Sequence, residues 1–294
     1  MQLRPSERRQ VKLRLGISGA SGFGKTHSAL LLAYGMTQDW NKIAVIDTEN
    51  SSASLYSDLG SFNVLDLSPP YSPERYIEAI SVCERAKIAV VIIDSITHEW
   101  NGSGGCLEIH EKLGGRFQDW AQVSPRHQAF IDKILQSDCH IITTTRRKIE
   151  YDIDRDASGK LKVQKLGTKE ITKEGFEYEL TINFELINEN HLVRASKDRT
   201  GLFMNKPEFI INSATGKKIL EWCNSGTNLQ DARNKIKACT NLDELKVLYN
   251  QYAQWRELLE YNFKQQKDAI TSQQHLVNPQ NFSSNGSLHY QTQQ

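Results

Sequence analysis

Eight residues near the beginning of the chain have the types and spacing of a phosphate-binding loop, because they fit the pattern G-x-x-x-x-G-K-[ST]. Glycines in such a loop let backbone N–H groups converge on one anion without obstruction by Cβ atoms. The lysine reaches the β- and γ-phosphates of a nucleotide, and the final hydroxyl is a ligand for Mg²⁺. The residues are Gly19, Ala20, Ser21, Gly22, Phe23, Gly24, Lys25 and Thr26.

The segments on either side of this loop favour the same chemistry. Residues 13–18 predict a strand, and the apolar residues 29–33 predict a buried helix. A strand, a glycine-rich turn and the positively polarised N-terminus of a helix together form a cradle for phosphate. The sequence therefore predicts bound ATP and Mg²⁺, with Lys25 in a catalytic role and Thr26 as a metal ligand.

Two carboxylates stand at the ends of two further predicted strands. Residues 43–46 are apolar and mostly β-branched, and Glu49 follows them within a polar cluster. Residues 88–94 form the most hydrophobic window of the chain and end in Asp94, which is typical of a central parallel strand. Open α/β sheets bind ligands at the carboxyl ends of such strands. Asp94 is therefore a predicted magnesium-side residue, and Glu49 is a candidate general base.

The identity of the base stays open at this point. Ser95 follows Asp94, so the chain lacks the adjacent Asp-Glu pair that many ATPases use for the metal and the base. The base must come from elsewhere, and the two candidates are Glu49 and Glu99. A carboxylate that merely solvates a loop is the alternative interpretation of Glu49.

One stretch of the chain is basic. Residues 140–145 predict a strand, and residues 146–173 then carry nine Lys or Arg against five Asp or Glu, a local balance of 9 − 5 = +4. Residues 156–159 have the composition of a hairpin tip. A basic loop at the ligand edge of a sheet suits a nucleic-acid backbone, and a solvated hairpin is the alternative. The candidate DNA-binding residues are Arg146, Arg147, Lys148, Lys160, Lys162 and Lys165.

The composition limits the class of protein. The 294 residues suffice for one large α/β core and a small appendage. The net charge of +1 means that any nucleic-acid surface must be local. The five cysteines show no C-x-x-C spacing, so the sequence indicates neither a disulfide framework nor a zinc site. No leader and no long apolar segment is evident, so we expect a cytoplasmic protein without a membrane partner.

The remaining patterns predict the organisation of the chain. Helices are expected at residues 73–85 and 125–135, and antiparallel strands at 179–186 and 191–196. Residues 101–118 predict a glycine-rich mobile loop with one helical turn around 107–113. We predict a lead-in (1–12), a core (13–225), a helical segment (226–270) and a disordered tail (271–294). An apolar stripe along the helical segment predicts a docking face made of Leu242, Leu245, Tyr249, Tyr252, Trp255, Leu259 and Phe263.

The order of these motifs resembles that of RecA-like ATPases, and most closely the short phage-encoded RecA- or RadA-like proteins of single-strand annealing and recombination. The resemblance covers about residues 11–222 and rests on residues 19–26, 46–49, 92–95 and 196–203. It implies an α/β fold, namely a RecA-like P-loop NTPase core with a mostly parallel central sheet flanked by helices, an antiparallel extension and a small helical C-terminal appendage.

The resemblance also implies roles for individual residues. It favours Glu49 as the base that polarises the attacking water. Lys197 and Arg199 stand where RecA-like proteins present cations to the nucleotide of a neighbouring subunit, which implies a ring or filament. Thr144 or Thr145 occupies the position of a γ-phosphate-sensing residue, and we assign Thr145 to nucleotide binding. The basic segment falls where the family has its DNA-binding loops.

Two functions of different classes follow from these assignments. The first is an ATPase that acts on single-stranded DNA in phage or prophage recombination or replication, in the cytoplasm of a bacterial host. The second is a nucleotide-dependent loader or assembly factor that acts through a protein partner of the C-terminal helices.

Overall fold

The computed structural model describes residues 11–155, 161–224 and 229–277. The described residues up to Asn224 belong to one compact unit, and those from Leu229 onwards belong to a second.

The first unit is built on a sheet of nine described strands. The strands are β1 (Arg14–Gly19), β2 (Ile43–Asp47), β3 (Asn63–Asp66), β4 (Val90–Asp94), β5 (His140–Arg155), β6 (Leu161–Glu170), β7 (Ile182–Leu186), β8 (Leu192–Asp198) and β9 (Phe209–Ile210). Their order is β3-β2-β4-β5-β1-β7-β8-β9, and β6 pairs with β5 outside this order. Pairing is parallel from β3 to β7 and antiparallel between β7, β8 and β9. The predicted mostly parallel sheet with an antiparallel extension is therefore confirmed.

Helices cover both faces of the parallel strands. They are α1 (Lys25–Thr37), α2 (Pro73–Arg85), α3 (Thr97–Asn101), α4 (Cys106–Lys112), α5 (Trp120–Gln136) and α6 (Ser213–Asn224). Residues of α1 and α6 pack in one apolar core, and residues of α2 and α5 pack in the core on the other face. Every residue of β2 and β4 is buried as a consequence, which explains why both strands are continuously apolar in sequence.

Helices α1 and α6 approach each other closely enough to require glycine at the contact. A Cβ atom on Gly35 would lie 2.0 Å from the carbonyl oxygen of Ser213, and one on Gly216 would lie 2.1 Å from that of Leu32. Any larger residue at either position would push α6 away from the helix that follows the phosphate-binding loop.

Several predicted boundaries need correction. The helix at 73–85 is confirmed, but the helix expected to start at Pro125 begins at Trp120 and carries that proline inside it. Within the expected loop at 101–118, the predicted helical turn around 107–113 is confirmed as the helix α4. The strand predicted from residue 179 starts at Ile182, because Phe176–Glu179 form a 3-10 turn.

Strand β5 is much longer than predicted. It was expected to end at Thr145 but continues to Arg155, and its second half pairs antiparallel with β6. The basic stretch therefore begins on the strand itself rather than after it. The expected hairpin tip at 156–159 lies outside the described residues.

The second unit contains three described helices, α7 (Leu229–Ala238), α8 (Leu242–Gln251) and α9 (Arg256–Val277). Helix α8 is capped at its N-terminus, because the Asn241 side chain accepts a hydrogen bond from the Glu244 N–H at 2.8 Å. The tail was predicted from residue 271, but residues 271–277 are still helical, and 278–294 lie outside the described residues.

The predicted docking stripe is largely an internal core. Leu245, Tyr252, Leu259 and Phe263 are buried within the second unit, so they are not available as a docking face. The sequence pattern of a helix that packs on its neighbours is the same as that of a helix that docks on a partner, which is the origin of the error. Two members of the stripe, Leu242 and Tyr249, are exposed, and so are Val247, Leu258 and Tyr261 among the described residues outside it.

None of the helices in the described ranges has the length and apolar character that crossing a membrane requires.

Candidate functional site

The glycine-rich loop lies between the end of β1 at Gly19 and the start of α1 at Lys25. Gly22 and Gly24 have φ angles of +80° and +88°, in the left-handed region that favours glycine. The Lys25 ammonium donates a hydrogen bond of 2.9 Å to the carbonyl oxygen of Ala20, within the loop itself. Burial lowers the pKa of Lys25, although the charges of Asp94 and Glu49 act in the opposite direction. An anionic phosphate would therefore meet a partly desolvated cation here.

A cavity of about 380 Å³ opens over this loop, within the range of small-molecule sites. A Cβ atom on Gly22 would meet no other atom within 4 Å, so the loop leaves open space on this side. The cavity is lined by Ser21, Gly22, Gly24, Lys25, Thr26, His27, Glu49, Ser52, Leu55, Tyr56, Asp94 and His191. The predicted loop and both predicted strand-end carboxylates thus meet at one site.

The corner between α1 and β4 offers oxygen ligands. The Thr26 hydroxyl donates a 2.5 Å hydrogen bond to Oδ2 of Asp94, and the Thr144 hydroxyl donates to Oδ1. Burial raises the pKa of Asp94, and these two hydrogen bonds oppose the rise. A hydroxyl and a carboxylate in contact suit Mg²⁺, which prefers oxygen ligands. The residues present therefore fit the implied metal, with Thr26 and Asp94 as the groups that would hold it.

The assignment of Thr145 to nucleotide binding needs correction. Successive side chains of a strand point to opposite faces of the sheet, and β5 directs Thr144 towards Asp94 and α1. Thr145 is buried on the other face and does not line the cavity. The sequence located the right strand end but could not fix which of the two neighbouring threonines faces the site.

Glu49 lies on the cavity wall and is held by two sets of contacts. The carboxylate of Asp47, which is 2% exposed, accepts hydrogen bonds from the backbone N–H groups of Glu49 (2.6 Å) and Ala53 (2.7 Å), which fixes the loop after β2. The Glu49 carboxylate itself is bound through both oxygens by the Arg146 guanidinium, at 2.9 and 2.8 Å. Burial raises the pKa of Glu49, but the Arg146 hydrogen bonds and charge outweigh it, so the pKa lies below its ordinary value.

The other candidate base, Glu99, does not line the cavity. It is 1% exposed, and its carboxylate accepts hydrogen bonds from the Cys106 thiol and from Nδ1 of His127. Of the two candidate bases, only Glu49 lines the cavity over the loop.

His191 is a site residue that the sequence did not reveal. It stands just before β8, and its Nδ1 donates a 2.7 Å hydrogen bond to the carbonyl oxygen of Phe23 in the loop. A Cβ atom on Gly24 would lie 2.6 Å from the same Nδ1 atom. Only the pairing of β7 with β1 brings this turn to the loop, and no sequence motif marks it.

The candidate DNA-binding residues lie in different environments. Arg146 binds Glu49, as described above. The Arg147 side chain is 15% exposed and forms ion pairs with Glu170 and Glu185 and a hydrogen bond to the Ser18 hydroxyl. Its contacts therefore lie within the protein. Lys148 is exposed on β5. Two of the three arginine and lysine residues that open the basic stretch are thus already engaged by carboxylates.

The remaining candidates lie further along the hairpin. Lys162 and Lys165 are on β6, where the strand register places them opposite Asp154 and Tyr151. Lys160 lies outside the described residues. The register shows that part of the local positive charge stands opposite an acidic residue of β5.

Lys197 and Arg199 lie at the other end of the sheet from the loop. The Arg199 N–H bonds to the carbonyl of Thr181, whose own N–H bonds to the carbonyl of Arg14 at the start of β1. Both cationic side chains donate to the carbonyl of Tyr178, at 2.5 and 2.7 Å. They are therefore not placed to act on a nucleotide in the loop of their own chain.

Comparison with known proteins gives the family. Among solved structures, a KaiC-like protein from the hyperthermophilic archaeon Pyrococcus horikoshii OT3 matches at 16% identity, with a TM-score of 0.40, over 69% of this chain and 87% of that one. No curated protein matches. A family model described as an AAA domain matches residues 11–223, a range that begins before β1 and ends within α6. The first unit therefore makes this chain a member of the AAA domain family.

Proposed function

We propose that the protein hydrolyses ATP in a Mg²⁺-dependent reaction coupled to the binding of single-stranded DNA, in phage or prophage recombination or replication. The course of strand β5 supports this coupling between hydrolysis and DNA binding. Strand β5 supplies Thr144 to Asp94, supplies Arg146 to Glu49, and then continues as one arm of the basic hairpin. Anything that binds the hairpin acts on the strand that holds the nucleotide site together.

The side chains of the site divide the chemical work. Glu49 is the base that polarises a water for in-line attack on the γ-phosphate. Lys25 exchanges its hydrogen bond to Ala20 for one to the β- and γ-phosphates, where it offsets negative charge. The Mg²⁺ held by Thr26 and Asp94 supplies further charge neutralisation when it is bound.

The contact between Glu49 and Arg146 explains how DNA could control the rate. A carboxylate that is bound through both oxygens by a guanidinium has little capacity left to accept a proton from water. The Arg146 side chain is 42% exposed and begins the basic stretch, so a DNA phosphate can compete for it. We infer that DNA draws Arg146 away from Glu49 and thereby activates hydrolysis.

The position of Lys197 and Arg199 supports self-association. Because these cations lie at the opposite end of the sheet from the loop of their own chain, a nucleotide that they contact would have to be bound by a neighbouring subunit. We propose that they act in trans, as an arginine finger does, within a ring or filament.

The test measures ATP hydrolysis with and without single-stranded DNA over a series of salt concentrations. DNA should stimulate the wild type, stimulation should decline as salt rises, and Lys25→Ala should abolish the rate. Arg146→Ala should raise the DNA-free rate towards the stimulated rate, since Glu49 is then unbound. Arg85→Ala, at an exposed position on α2, is the matched control and should behave as wild type.

A second pair of variants locates the DNA contact. The double variant Lys162→Ala with Lys165→Ala should weaken DNA binding and reduce the salt dependence, whereas Lys217→Ala, on the exposed face of α6, should change neither. Hydrolysis that ignores DNA in every variant would refute the coupling while leaving the ATPase intact.

The alternative function, a nucleotide-dependent loader or assembly factor, is favoured by one observation. The second unit exposes Val247, Leu258 and Tyr261 by 64%, 54% and 69%, and such apolar side chains can anchor a protein partner. Under this alternative, changing these three residues to Ser abolishes recovery of a replication or recombination partner and leaves the response to DNA unchanged. Under the first function, the same change leaves both DNA-stimulated hydrolysis and the recovery of protein partners unchanged.

A further inference from the structure

A second polar cluster lies on the other face of the sheet from the nucleotide site. Glu99 comes from α3, Cys106 is the first residue of α4, and His127 comes from α5. Glu99 and Cys106 are 7 residues apart, Glu99 and His127 are 28 apart, and the packing of the three helices brings them together. Their exposed fractions are 1%, 0% and 4%, so the cluster is closed to solvent.

The distances within the cluster are short. The Cys106 Sγ atom lies 3.1 Å from Oε1 of Glu99, and Nδ1 of His127 lies 3.0 and 3.1 Å from the two oxygens of the same carboxylate. All three ligand atoms lie within 4.8 Å of one another. A thiolate, an imidazole and a carboxylate are the three side-chain ligands of protein-bound zinc.

We propose that Glu99, Cys106 and His127 bind a structural zinc ion. Bonds of about 2.3 Å to sulfur and about 2.0 to 2.2 Å to nitrogen and oxygen would place tetrahedral ligand atoms about 3.3 to 3.5 Å apart. The observed separations reach these values with shifts of a few tenths of an ångström for the carboxylate pairs. Glu99 can bind through both oxygens, which lie closer together than two tetrahedral ligands, so these oxygens with Sγ and Nδ1 would form a distorted four-donor site without water.

The charge balance favours a metal over hydrogen bonds alone. Without an ion, the cluster contains a buried carboxylate whose partners are a thiol, which is a weak donor, and an imidazole. A buried charge of this kind is costly unless it is strongly paired or coordinates a metal. With Zn²⁺ bound, the carboxylate and the thiolate balance the two positive charges, and the site is neutral.

Binding involves a defined proton transfer. The thiol of Cys106 loses its proton to solvent as the Zn–S bond forms. The imidazole of His127, whose Nδ1–H donates to Glu99 in the metal-free protein, gives up that proton and takes up one on Nε2, so that Nδ1 binds the metal. Zinc uptake should therefore release one proton and become weaker as the pH falls.

The surroundings identify the role as structural rather than catalytic. The Trp100 ring meets the His127 ring edge-on with centroids 5.4 Å apart, and it stacks on Trp120 at 5.7 Å. The burial of all three ligands suits a structural site rather than a catalytic one, which keeps an open position. The ion would join α3, α4 and α5 next to the strand end that carries Asp94, and so hold the connection that follows it.

The test is the metal content of the full-length, tag-free protein by mass spectrometry. The wild type should contain about one zinc per chain, and Cys106→Ser and Glu99→Gln should each contain less than about a tenth of that. Cys139→Ser is the matched control, because Cys139 is also buried but bonds to the Ile88 carbonyl, and it should keep its zinc. A wild type with less than about a tenth of an equivalent, both as purified and after incubation with zinc, would overturn the proposal.

A second measurement guards against variants that fail to fold. The wild type, treated with a chelator and refilled with Co²⁺, should show the sulfur-to-cobalt charge-transfer absorption of a thiolate ligand, and refilling with zinc should raise the thermal unfolding midpoint. Absence of both changes would also overturn the proposal. Neither measurement depends on ATP or DNA, so the outcome is separate from that of the proposed function.

Discussion

The two ends of the parallel sheet each hold a buried or half-buried arginine, and the two residues are bound in opposite ways. At the amino end, Arg14 is 5% exposed. Its guanidinium donates to the backbone carbonyl oxygens of Leu13, Leu135, Ser137 and Cys139. At the carboxyl end, Arg146 is 42% exposed and donates to a side-chain carboxylate, that of Glu49. A ligand cannot replace the buried backbone carbonyls that bind Arg14. A ligand that enters the cavity can replace the Glu49 carboxylate as the partner of Arg146.

This difference separates a structural end of the sheet from a functional one. Arg14 joins the start of β1 to the last turn of α5, where a cation also interacts favourably with the helix dipole. Burial lowers the pKa of Arg14 to about 10, so it remains a cation at neutral pH. The protein uses the same residue type once as a permanent connector and once as a contact that a ligand can displace. Four variants test this contrast.

The largest effect is expected on the rate of hydrolysis, from a substitution at the carboxyl end of the sheet. Glu49→Gln preserves the shape of the side chain but removes the base, so hydrolysis should fall about 10²- to 10⁴-fold. Nucleotide affinity should change little, because Lys25 and Thr26 are untouched. The measurement is single-turnover hydrolysis together with equilibrium nucleotide binding. Glu78→Gln, at an exposed position on α2, is the control, and equal rates in the two variants would remove Glu49 from the mechanism.

The second largest effect is expected on the free energy of unfolding, from a substitution at the amino end of the sheet. Arg14→Met leaves several carbonyl oxygens without their donor, and we expect a loss of about 3–5 kcal/mol in the free energy of unfolding. Urea unfolding of the wild type and variant measures it. The exposed Arg85→Met should cost less than about 0.5 kcal/mol. If both variants cost the same, Arg14 is not the connector that the geometry indicates.

A smaller effect at the amino end depends on pH. His140 accepts the Leu13 N–H at 3.0 Å, and burial together with the charges of Lys12 and Arg14 lowers its pKa to about 4. The unfolded chain takes up this proton near pH 6.5, before the folded protein does. Stability should therefore fall as the pH drops from about 6.5 to about 4, by about 1–3 kcal/mol.

The control for this prediction keeps the hydrogen bond and removes the titration. In His140→Gln, the amide oxygen can still accept the Leu13 N–H, so the variant should lose the part of the pH dependence that His140 contributes. The measurement is urea unfolding at pH 7.5 and pH 5. Identical pH dependence in wild type and variant would show that folding does not lower the pKa of His140.

The smallest expected change is a shift in the pH dependence of hydrolysis. Arg146 keeps the pKa of Glu49 below its ordinary value, against the effect of burial, which raises it. Arg146→Ala removes the lowering and leaves the burial, so the acid limb of the rate profile should move to higher pH. Rate profiles at saturating ATP without DNA test this, with Arg85→Ala as the reference. A limb that does not move would mean that another group sets it.

The sequence was sufficient for the parts of the site that depend on local pattern. The phosphate-binding loop, the strand that ends in Asp94 and the position of Glu49 follow from short motifs and from apolar runs, because each lies within a few residues of the feature that marks it. The parallel sheet followed from the same runs. These elements meet because the carboxyl ends of parallel strands share one edge of the sheet.

The sequence could not predict features that depend on which face of the sheet a side chain occupies, or on packing between distant segments. Alternation along β5 decides between Thr144 and Thr145, and a short apolar run does not show on which face it starts. The role of His191 depends on the pairing of β7 with β1, far away in the chain. The cluster of Glu99, Cys106 and His127 exists only because three helices pack together, so the spacing of the cysteines in sequence carried no sign of it.

The alternation of β5 has a consequence for changes in chain length. Ile142 packs in the apolar core, while Thr144 and Arg146 follow it on the same face and reach Asp94 and Glu49. Inserting or deleting a single residue within 142–146 would turn every later side chain of the strand to the wrong face. We therefore expect relatives of this protein to keep the spacing of these three residues unchanged.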